Sequence, residues 1–69
     1  MKLYYSSSDR YKLVGEAKDL QDAMTMIAEF VKDKIYYYRC WNSKCLGEDA
    51  VCIDYGSHTN FFYLIGGHV

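Results

Sequence analysis

Sixty-nine residues, with eight Lys and Arg against nine Asp and Glu, leave room for one domain and lack the basic excess that phosphate binding draws on. Hydrophobic residues are 51% of the chain and eight residues are tyrosine, which excludes a disordered, charge-rich polymer. No apolar run reaches the roughly 18 residues that a membrane span needs, so no membrane role is expected.

In chain order, Lys2–Tyr5 and Arg10–Gly15 read as strands, separated by the turn-forming run Ser6-Ser7-Ser8-Asp9. A helix follows. Asp19 is a good N-cap with Asp22 three residues on, a capping box with a shorter acid, and Lys32 and Lys34 suit the other end of the dipole. At helical spacing Leu20, Ala23, Met24, Ile27 and Val31 form one apolar stripe, with Met26 and Phe30 on its flank. Gln21, Asp22, Thr25, Glu29, Lys32 and Asp33 fill the opposite side. Three further strands are expected over Ile35–Trp41, Ala50–Tyr55 and Phe61–Ile65. Asn42–Asp49 reads as a loop, and Gly56-Ser57-His58-Thr59-Asn60 as a turn. The predicted class is α+β, in the order β-β-α-β-β-β. Its antiparallel sheet carries one amphipathic helix packed on one face.

Strand alternation then sorts the side chains. Tyr36, Tyr38, Cys40, Val51, Ile53, Tyr55, Phe62 and Leu64 are expected to face the helix. Tyr37, Arg39, Trp41, Asp54, Phe61 and Tyr63 are left on the far face, with Arg39 and Asp54 placed to pair. Tyr, Trp and Arg together have the composition of a protein interface, and these six residues are the expected partner-binding set. Self-association as a homodimer is the commonest form of such an interface. Tyrosines lying flat on a solvated sheet, or stacking nucleic-acid bases, are the competing readings. The charge balance argues against nucleic acid as the partner.

Nothing in the chain assembles a reaction centre. Asp54, Ser57 and His58 lie within five residues, but neighbours at a strand-to-turn junction point in different directions, and a catalytic triad needs them to converge. Cys40, Cys45 and Cys52 with His58 or His68 lack the paired spacing of a structural zinc site. No glycine loop opens a helix to cradle phosphate. The expectation is a protein that is not an enzyme and has no metal and no cofactor. The amino-terminal MKLYYSSSDRYK has no apolar signal core, so the thiols are expected to be reduced in the cytoplasm.

The stretch Ile53-Asp54-Tyr55-Gly56-Ser57-His58-Thr59-Asn60-Phe61-Phe62-Tyr63 resembles the closing segment of small uncharacterised proteins encoded by phages and prophages of Gram-positive bacteria. Val14–Ala23, a strand leading into a capped helix, fits the same pattern loosely. The resemblance implies a phage-type accessory protein in the cytoplasm of a bacterial host cell. Such a protein would bind and inhibit a host or defence protein stoichiometrically, as anti-CRISPR and other anti-defence inhibitors do. It brings no catalytic or ligand residues. The alternatives are a small nucleic-acid-binding or regulatory protein, or a homodimeric interaction module with no enzyme target.

Overall fold

The computed structural model describes residues 1–32, 38–57 and 59–67. Its elements are β1 (Lys2–Ser7), β2 (Arg10–Glu16), α1 (Leu20–Val31), β3 (Arg39–Cys45), β4 (Glu48–Asp54) and β5 (Asn60–Ile65). The five strands form one sheet in the order β2-β1-β5-β4-β3, and every neighbouring pair is antiparallel. The expected α+β class and element order are therefore present.

Two tight turns set the ends of this sheet. Ser8 and Asp9 join β1 to β2 with φ of 49° and 65°, and Leu46 and Gly47 join β3 to β4 with φ of 51° and 80°. Two consecutive positive φ values give the turn whose twist matches a right-twisted hairpin. The second hairpin corrects the sequence reading. Asn42–Asp49 is not a loop, because only Leu46 and Gly47 leave the ladder and Cys45 pairs with Glu48. Asn42, Ser43 and Lys44 are weak strand formers, but β3 is an edge strand, where polar residues are tolerated. The strand expected at Ile35–Trp41 accordingly begins at Arg39, and residues 35–37 lie outside the described residues.

Helix α1 starts where its cap predicts. Asp19 has extended backbone, and its Oδ1 accepts the Asp22 N–H at 2.8 Å. The reciprocal bond differs from a standard capping box, since Asp22 Oδ2 takes the Lys18 N–H at 2.9 Å. The helix stops at Lys32, which adopts the left-handed conformation (φ 56°) and donates its N–H to the Ala28 carbonyl at 3.0 Å. Asp19→Ala is expected to cost about 1 kcal/mol by leaving a helix-end donor without its acceptor. A urea titration followed by circular dichroism would read this directly.

The core gathers Leu3 from β1, Val51 and Ile53 from β4, Phe62 and Leu64 from β5, and Ala23 and Ile27 from α1. Ladder pairs set Leu64 between Leu3 and Val51, and Phe62 between Tyr5 and Ile53. The Phe30 ring meets Tyr5 at 4.9 Å and Phe62 at 5.6 Å, and Met26 also packs against the cluster. The helix stripe is the expected one: Leu20, Ala23, Ile27 and Val31 belong to the contact, with Met26 and Phe30 on its flank. The backbone carbonyl of Met24 accepts the Tyr38 hydroxyl at 3.2 Å.

Candidate functional site

Side chains alternate across the sheet, so the residues between the core positions share its other face. The register aligns them in rows. One runs Leu13–Tyr4–Tyr63–Cys52–Trp41 from β2 to β3, and beside it lie the run Tyr11–Ser6–Phe61 and the pair Asp54–Arg39. Five aromatic side chains, Tyr4, Tyr11, Trp41, Phe61 and Tyr63, therefore lie on one surface.

These rings do not stand upright. Trp41 on β3 reaches across β4 to meet Phe61 on β5, with centroids 6.2 Å apart. Tyr11 on β2 reaches across β1 to Tyr63, at 5.9 Å. Such contacts between second-neighbour strands require rings that lean over the strand between them. Beneath them Cys52 is only 2% exposed, and Ala50 is equally buried. The tallest groups remain open to solvent: Trp41 is 37% exposed, Tyr11 42% and Leu13 52%. The sheet has made a thin aromatic layer of its own and still presents large apolar groups above it.

The expected partner-binding residues divide as follows. Arg39, Trp41, Asp54, Phe61 and Tyr63 lie on this face by register, and Tyr37 lies outside the described residues. Arg39 and Asp54 face one another in the ladder, but the expected ion pair is not formed. The Arg39 guanidinium sits 5.7 Å from the centre of the Trp41 ring, and Asp54 Oδ1 accepts the Gly56 N–H at 2.9 Å. Each charged group has a local partner that costs less side-chain ordering than an exposed ion pair. Tyr4, Tyr11 and Leu13 were not in the expected set. The register of β1 and β2 slips between Leu3 and Tyr4, leaving Val14 as an extra residue. That bulge breaks the alternation from which the face of Leu13 would have been read.

Charge on the face is mixed, with Lys2 and Arg39 against Glu16, Glu48 and Asp54 by register. On the helix the exposed side chains are Gln21, Thr25, Glu29 and Lys32, all polar.

The other constellations are occupied by structural tasks. Asp54 caps the turn at Gly56, whose φ is 105° as a glycine there allows. Ser57 Oγ accepts the N–H groups of Thr59 at 3.3 Å and Asn60 at 3.0 Å. All three cysteines are free thiols, and among the described residues no three metal-ligating side chains converge. His58 and His68 lie outside the described residues.

Burial pushes the Tyr63 phenol up to about 12, with further upward pushes from the adjacent Cys52 thiol, to which its hydroxyl is hydrogen-bonded. Burial also raises Cys52 and Cys45. These are acids held in their neutral form, so their stabilisation is complete at neutral pH. It is lost as pH rises from the ordinary thiol and phenol ranges through the raised folded values. The melting temperature should therefore fall with increasing pH up to about 12, and a late tyrosinate absorbance step should coincide with unfolding. A phenol titrating early, with the fold intact, would mean that Tyr63 is open to water. No protein-family model, no curated protein and no solved structure matches the chain.

Proposed function

We propose that this chain works by binding a protein, without catalysis, through the sheet face that carries Trp41. In this reading the helix covers one side of the sheet, through Ala23, Ile27 and Phe30, and the aromatic side is left for a partner. The observation that carries the proposal is the exposure of Trp41, Tyr11 and Leu13 above a layer of rings already packed against one another. Aromatic anchors held in place before binding lose little conformational freedom when a partner arrives. The mixed charge of the face, with no basic excess, suits a protein surface better than a phosphate backbone. The phage-type role as a stoichiometric inhibitor of a host or defence protein is one use of such a surface, and it rests on the closing stretch Ile53–Tyr63.

The test is retention of a bacterial protein by the immobilised chain. Trp41→Ala is expected to weaken that retention about 30-fold or more, as loss of a large aromatic anchor does. Its circular dichroism should be unchanged. Retention that survives Trp41→Ala but is lost in Glu29→Arg would move the contact to the helix and overturn the proposal.

A further inference from the structure

We infer that the protein covering this face is a second copy of the same chain, packed sheet against sheet about a two-fold axis that runs along β5. The inference rests on the reading of the face as a binding surface and names its occupant.

Size is the first argument. The molecule measures 30 × 26 × 19 Å, and a second copy presents a face of the same outline. Such a partner can reach both exposed ends of the aromatic row, Leu13 and Trp41, at once.

Self-complementarity is the second. A two-fold along β5 lays β2 of one copy over β3 of the other, and β1 over β4, with the two Tyr63 residues at the centre. Leu13 of each copy then meets Trp41 of the other, so the two exposed apolar groups at the ends of one row cover each other.

Charge is the third. The same superposition sets Tyr11 over Arg39, a favourable cation–aromatic contact. It brings Lys2 to the end of β4 that carries Glu48, and Glu16 over Ser43. No like charges are opposed, although the face holds both signs.

Sedimentation equilibrium on the full chain tests this, with Leu13→Arg and Trp41→Arg as variants and Glu29→Arg as the helix control. The inference requires a dimer for the unmodified chain and for Glu29→Arg. Each face variant should stay folded by circular dichroism while its dimer dissociates at least 100-fold more readily. A chain that stays monomeric at all concentrations overturns the second-copy inference and leaves the face open to another protein. A dimer that survives both face variants overturns the inference and the reading of the face together. Should an arginine variant unfold, the same comparison is made with Leu13→Ser and Trp41→Ser.

Discussion

Phe62→Ala is expected to leave the chain unfolded, or nearly so, at room temperature. Phe62 is fully buried on β5, and its ring meets Tyr5 at 5.1 Å, Tyr55 at 5.4 Å and Phe30 at 5.6 Å. These partners come from β1, from the residue after β4, and from the helix. Removing the ring opens a cavity that they cannot close without leaving the positions the ladder sets for them. The cost of such a truncation is about 3–5 kcal/mol. A domain of this length has roughly 3–10 kcal/mol in total. Thermal denaturation followed by circular dichroism checks it, and a folded variant with an unchanged melting temperature would show that the core is centred elsewhere.

Ile27→Ala comes next, with an expected loss of about 2–4 kcal/mol. Ile27 is the largest fully buried side chain of the helix, and it shares one cluster with Leu3, Ile53, Phe62 and Leu64. Its truncation separates helix from sheet without touching a strand. The variant should therefore lose helical signal at lower urea concentration than the unmodified chain, with the ladder pairing of the sheet still intact before the transition. Met24→Ala is the control. Among the described residues Met24 is not packed on that cluster, so its truncation should cost less than half as much.

Much of this was legible from residue pattern. The start of the helix could be read because cap and spacing point the same way, and the structure places it at Leu20–Val31, with Lys32 as its cap rather than on its polar face. Val51 and Ile53 face the core as the alternation of β4 implied, while on β5 alternation pairs Phe62 with Leu64 without deciding which face is buried, and the structure buries both. The second hairpin was hidden because Leu46 holds a position where asparagine or aspartate is the usual signal, so Asn42–Lys44 looked like loop. The candidate face was half legible. Arg39, Trp41, Asp54, Phe61 and Tyr63 follow from the alternation in β3, β4 and β5. Tyr4, Tyr11 and Leu13 required the strand order and the bulge at Val14, and neither leaves a mark in local spacing. Strand order is a long-range property, set by how β5 inserts between β1 and β4, which no window of neighbouring residues records.

In the proposed reading the aromatic sheet face, rather than the helix, is the surface a partner covers. The chain contains one tryptophan, Trp41, at the edge of that face, so its fluorescence reports on this surface alone. Acrylamide quenching of Trp41, measured as the chain associates with its partner, is the most direct test. The quenching constant is expected to fall several-fold and the emission to shift to shorter wavelength, because a 37%-exposed indole passes into a dry interface. Association that proceeds to completion while Trp41 stays as open to acrylamide as in the dilute monomer would contradict the account.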